Sequence, residues 1–151
     1  MQVRAITVLS VFSGLLLGPA VGRVWAQSLA LDYFSVTPCR LLDTRVPAQG
    51  PALASGAARF VTVAGSCGVP ANAGAIAANI TAVAPTGGGN LRLYPGDGVA
   101  PATSSLNFGG GQTRANNAVI KLNASGALAV FIGQAAGTTT HLIIDVNGYF
   151  E

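Results

Sequence analysis

Few side chains in this sequence have the chemistry for catalysis, and their spacing limits what that chemistry would be. His141 is the only histidine. A Ser-His-Asp relay through Asp145 fails on distance, because four residues along a strand span about 13 Å. Asp43 can approach His141 only through the fold, and the sequence has no Gly-x-Ser-x-Gly elbow to supply a nucleophile. Zinc needs three or four protein ligands, and one histidine beside a paired Cys39 and Cys67 falls short. Pro95-Gly96-Asp97-Gly98 is a tight acidic loop, but calcium wants about 6–8 oxygens and one carboxylate is few. The Gly-rich stretch Thr86 to Asn90 has no lysine and no following helix, so it does not cradle phosphate. Asp32, Asp43, Asp97 and Asp145 carry no signature of a glycosidase pair. No catalytic residue, metal ligand or cofactor is assigned.

Binding leaves more to examine. Sugar sites combine an aromatic platform with planar polar groups. Tyr94 shares a polar strand face with Arg92, beside a turn, and is the first platform candidate; Tyr149 is a second. Phe60, Phe108 and Phe131 are assigned to the core. The densest charge lies at Arg40, Asp43 and Arg45. Extended geometry puts Asp43 and Arg45 on one face as an ion pair, with Arg40 opposite. Asp43 has a second option, capping a turn through the Thr44-Arg45 backbone.

The elements that must position these residues are strands. Residues 1–26 read as a secretion signal: Arg4, an uncharged run from Ala5 to Leu17, a Gly18-Pro19 break, then Val24-Trp25-Ala26 before a cut at Gln27. Residues 27–151 form one domain. Only 9% of the chain is charged, against roughly 25% in an average soluble protein. Cleavage removes Arg4 and Arg23 and leaves six basic and five acidic residues. The mature surface is then near neutral, which excludes a polybasic nucleic-acid binder and removes a barrier to self-association. Cys39 and Cys67 in an exported domain are read as a structural disulfide, since a redox pair prefers Cys-x-x-Cys. Period-2 alternation recurs at Tyr33 to Thr37, Arg59 to Val63, Ala75 to Ala84, Asn90 to Pro95, Ser105 to Gly109, Ala118 to Leu122, Ala127 to Ile132 and Thr140 to Asn147. Pro47 to Ala58 is expected to be an exposed loop. About eight short strands between turn clusters predict an all-β fold: a single antiparallel β-sandwich, jelly-roll-like, with one disulfide.

The motifs also carry a resemblance. Phe34, Pro38-Cys39-Arg40-Leu41-Leu42-Asp43-Thr44-Arg45, Gly68-Val69-Pro70, Asn79-Ile80-Thr81 and Tyr94-Pro95 occur in order. Ser104-Ser105-Leu106-Asn107-Phe108, Asn116 and Asp145-Val146-Asn147-Gly148-Tyr149-Phe150 follow. In this pattern the chain resembles a family of secreted bacterial β-modules found alone or attached to extracellular and cell-wall proteins, peptidoglycan amidases among them. The resemblance implies compartment and architecture, and no catalytic activity. The cysteine pair departs from many such modules. With no enzyme attached, a targeting role in cis is not expected.

The sequence therefore predicts a non-enzymatic, secreted module of the cell surface or of extracellular assemblies, structural or adhesive, with itself as a partner through self-assembly. The alternative is a glycan- or peptidoglycan-binding module contacting cell-surface glycan through Arg92, Tyr94 and Tyr149. A small secreted hydrolase ranks third. No nucleic acid is expected as a partner, and no membrane after signal cleavage.

Overall fold

A computed structural model describes residues 30–151; the secretion signal expected at 1–26 lies outside them. The strands are β1 (Tyr33–Asp43), β2 (Leu53–Ala54), β3 (Ala58–Thr62), β4 (Ala75–Val83), β5 (Gly89–Pro95), β6 (Leu106–Phe108), β7 (Arg114–Lys121), β8 (Ala127–Gln134) and β9 (Thr139–Phe150). A 3-10 turn, Pro47–Gln49, follows β1. The larger sheet runs β1-β9-β4-β7, with β2 also paired to β9; the smaller runs β3-β8-β5-β6. All pairings are antiparallel. The antiparallel sandwich is as the alternation predicts, with nine strands among the described residues where about eight were expected.

The additional strand is β2. Its two residues pair with Thr139 and Thr140 inside the segment expected to be loop, and Leu53 is buried there. Two residues between prolines and small side chains are too few to show alternation.

The core forms where the apolar faces of the two sheets meet. From β4 come Ile76, Ala78, Ile80 and Ala82; from β8 Leu128, Val130 and Ile132; from β9 Leu142, Ile144 and Val146. Each fully buried Ile, Leu or Val contributes about 1.5–3 kcal/mol of transfer free energy. Ala78 and Ala82 sit in these layers as the small side chains that let the sheets approach. The disulfide joins Cys39 in β1 to Cys67 in the turn after β3, with Cα atoms 5.5 Å apart.

Three register shifts shape the larger sheet. On β1 they fall between Ser35 and Cys39 and between Arg40 and Leu42; on the β4–β9 pair one falls at Ala77/Ala78. The first places two extra residues in β1, the second one extra residue in β1 and the third one in β9, and a single-residue insertion re-aims the side chains beyond it.

Candidate functional site

The charged motif at the end of β1 is assembled by a bulge. Arg40 pairs with Asp145 and Leu42 with Ile144, so Leu41 is the extra residue. Arg40 and Asp43 therefore emerge on the same outer face, where regular alternation would have opposed them. This corrects the expectation that Arg40 lies opposite. Arg40 Nη1 donates to Asp43 Oδ2 at 3.3 Å, while its Nε and Nη2 donate to Asp145 Oδ1 and Oδ2 at 2.8 and 3.0 Å. Arg45 closes on Asp43 from the turn, through Nε at 2.9 Å, Nη2 at 2.7 Å and its backbone N–H at 3.1 Å. Both sequence readings of Asp43 hold together: it is an ion-pair partner and a turn cap.

The Asp43 side chain is only 7% exposed. Hydrogen bonds from the Arg45 guanidinium hold its carboxyl well below the usual carboxylate range, against the opposing effect of burial. Arg40 is raised above its ordinary value, first by its bond to Asp145, and Arg45 by its bond to Asp43. Two cations and two anions cancel locally.

His141 is drawn into the same corner without joining a relay. Its Nδ1 lies 3.1 Å from Thr44 Oγ1, and Thr44 Oγ1 also accepts from the Leu142 N–H at 2.8 Å. Thr44 N–H in turn donates to the Leu142 carbonyl at 3.0 Å. This exchange locks the turn after β1 onto β9. Asp97 is exposed in its turn, where Gly98 N–H donates to the Pro95 carbonyl. No group of three or more His, Cys, Asp or Glu gathers among the described residues.

The three glycan candidates are not brought together. Arg92 and Tyr94 share the outer face of the smaller sheet as expected, but Tyr94 is only 8% exposed and offers no platform. The 96–101 loop returns over this face: Arg92 Nη1 donates to the Pro101 carbonyl at 3.2 Å, and Gly98 packs against the Tyr94 ring. Arg92 stands 5.3 Å over the Phe131 ring, a cation–π contact. Tyr149 is in the other sheet, packed against the core and stacked on Phe34 at 5.2 Å. The aromatic core is also corrected. Phe108 is buried, Phe131 half-buried, and Phe60 is 64% exposed on edge strand β3.

A different arrangement occupies the outer face of the larger sheet. Cross-strand register aligns Arg40, Asp145, Asn79 and Asn117 in one row across β1, β9, β4 and β7. Directly opposed residues in antiparallel strands point to the same face, and three inter-strand steps make the row about 14 Å long. Two shallow depressions lie along it. One, of about 490 Å³, is bounded by Pro38, Arg40, Asn79 and Asp145; the other, of about 280 Å³, by Tyr33, Ala77, Asn117 and Val119. Asn147, at the bulge of β9, belongs to both. Tyr33 is 51% exposed, and its hydroxyl donates to the Asn147 carbonyl at 3.4 Å. Gly148 makes room for it, because a Cβ there would collide with the Tyr33 ring. Alternation alone puts Asn79, Asp145 and Asn147 on polar faces, but only strand pairing makes them neighbours.

No family model matches the chain, and no curated protein does. Among solved structures, two of Tobacco streak virus coat protein are similar in outline at 12% identity. The dimer structure has a TM-score of 0.42, with 79% of this chain and 87% of that chain covered. The other, in a C2 crystal form, has a TM-score of 0.41, with 80% and 88% covered. Similarity at this level implies nothing about activity or partners.

Proposed function

We propose that this chain is an exported, non-catalytic β-sandwich module with a structural or adhesive role at the cell surface or in extracellular assemblies. It belongs, in this reading, to the secreted bacterial β-modules whose motifs it resembles. One observation carries the proposal: the ionisable groups of the motif are engaged in holding the fold, while amides on the open face of the larger sheet have no partner among the described residues. Arg40, Asp43, Arg45 and Asp145 bond to one another, and His141 bonds to Thr44. The Cys39–Cys67 bond supports an oxidising compartment. Self-association is favoured by the near-neutral surface and by the outer edges of β1 and β3, which pair with no further strand among the described residues.

The test is expression of the full chain in a secreting bacterium. The proposal expects surface labelling of intact cells, an N-terminus at Gln27 by mass spectrometry and no free thiol. Retention in the cytoplasm with reduced cysteines overturns it. Light scattering on the exported protein addresses self-assembly, and a strictly monomeric species at high concentration removes that part.

A further inference from the structure

The geometry points to a neutral oligosaccharide as the ligand of the larger sheet's outer face, lying across the strands over Asn79, Asn117 and Asn147. The inference rests on the adhesive reading above and names what such a module would hold.

Three amides distinguish this face. The side chains of Asn79, Asn117 and Asn147 have no hydrogen-bond partner among the described residues. Three of the other asparagines are engaged: Asn90 accepts from Arg92, Asn116 donates to the Ser105 carbonyl, and Asn123 accepts from Ser125 and Ala127; Asn72 and Asn107 are exposed singly, away from this row. Each unpaired amide presents a donor pair and an acceptor in one plane. Vicinal sugar hydroxyls both donate and accept, and match that pattern.

Charge selects among ligands. The Arg40 guanidinium is already held by both oxygens of Asp145 and by Asp43. At the row itself an anion would therefore meet no unpaired cation, unlike at a phosphate or nucleic-acid site; Lys121, on the same face of β7, stands four residues or about 13 Å along the strand from Asn117. Asp145 is partly exposed beside Asn79 and adds an acceptor for a hydroxyl. Tyr33, lying against Gly148 at the end of the row, supplies an aromatic surface for the apolar face of a sugar ring. A peptide adding as a strand would use a sheet edge, not this face. The row is long enough for more than one ring, so the site fits a short chain better than a monosaccharide.

The exported protein is to be screened on an array of neutral and acidic oligosaccharides. It is then titrated with N-acetylglucosamine tetramer and with the best neutral array ligand, followed by side-chain amide NMR. The inference expects saturable binding of a neutral oligosaccharide, with shifts in the Asn79, Asn117 and Asn147 NH₂ signals. Asn79→Ala with Asn117→Ala should weaken binding about tenfold or more, and Tyr33→Ala should weaken it too. Phe60→Ala, on the other sheet, should leave it unchanged. No binding of any neutral oligosaccharide at millimolar concentration overturns the site. So does preference for acidic glycans, or loss of binding on Phe60→Ala alone. Each of these leaves the adhesive reading standing if the protein still labels at the cell surface; cytoplasmic retention overturns that reading itself.

Discussion

Replacing Cys39 and Cys67 together with alanine opens a loop whose ends lie 28 residues apart. In the chain-entropy model such a crosslink removes about 12 cal/mol/K from the unfolded chain, or about 3.6 kcal/mol at 25 °C. Total stabilities of about 5–15 kcal/mol make this a large share. Alanine is the right replacement because Cys67 has a φ of +53°. A Cβ in the left-handed region is costly; alanine retains that cost, so the comparison reads the crosslink and the lost sulfur contacts. Urea unfolding of the oxidised protein and the double variant at one pH should show a midpoint shift with stability lower by about 3–4 kcal/mol. Thermal melts should fall by roughly 10–18 °C. A second pair, Cys39→Ala with Cys67→Gly, should recover about 1 kcal/mol by relieving the Cβ. A loss under about 1 kcal/mol at an unchanged denaturant slope would refute the reasoning, since β1 and the turn after β3 would then be restrained without the bond.

The Asp43 carboxyl titrates below its unfolded value near 3.9, so its contribution is complete above about pH 5 and declines as pH falls through 4 and below. Asp43→Asn should therefore flatten the acid side of a stability–pH curve measured by urea unfolding; an unchanged slope between about pH 4 and 2 would count against the pairing. Ile80, wholly buried in β4, should cost about 2–5 kcal/mol as alanine, whereas Phe60→Ala should stay within about 0.5 kcal/mol, both read from denaturation midpoints. Asn123 Oδ1 accepts from Ser125 N–H, Ser125 Oγ–H and Ala127 N–H in the turn that carries the chain from β7 to β8. Asn123→Ala should cost about 1–2 kcal/mol, and hydrogen exchange should show the loss of protection centred on that turn.

Legibility followed burial. β4, β8 and the middle of β9 are central strands packed on one face, so alternation survives intact and their positions are readable to within a few residues. β1 reads only as far as Thr37 because its two bulges break the period, and the exposed edge leaves the first residues without contrast. β7 begins four residues earlier than its apolar pattern, since Arg114 to Asn117 pair with β4 while facing solvent or the rim. Tyr94 departs from its pattern for a different reason. Its face is right, but a loop closing from outside covers it, and no local pattern records which loop returns. Phe60 fails the other way: an aromatic in an alternating strand reads as core, yet β3 lies at an edge with its outer side open. The amide row was hidden because Asn79, Asn117 and Asn147 are far apart in sequence and become one surface only through register.

The sparse charge acquires a physical role from these contacts. Of the eleven charged residues after position 26, four form the Arg40–Asp43–Arg45–Asp145 cluster. Arg59 donates to the carbonyls of Gln49 and Gly50, and Arg92 to that of Pro101. Six of these eleven charged residues thus act as short-range crosslinks between strands and loops, and the four in the cluster compensate one another. A protein built this way has little field with which to steer a partner, so its contact chemistry falls to neutral donors and acceptors on the sheet face. Long-range attraction between charged surfaces weakens strongly with ionic strength, whereas amide–hydroxyl hydrogen bonds do not. Retention on a neutral glycan should accordingly stay constant from low salt to about 0.5 M, and a steep salt dependence would show that charge, and not the Asn79–Asn117–Asn147 face, makes the contact.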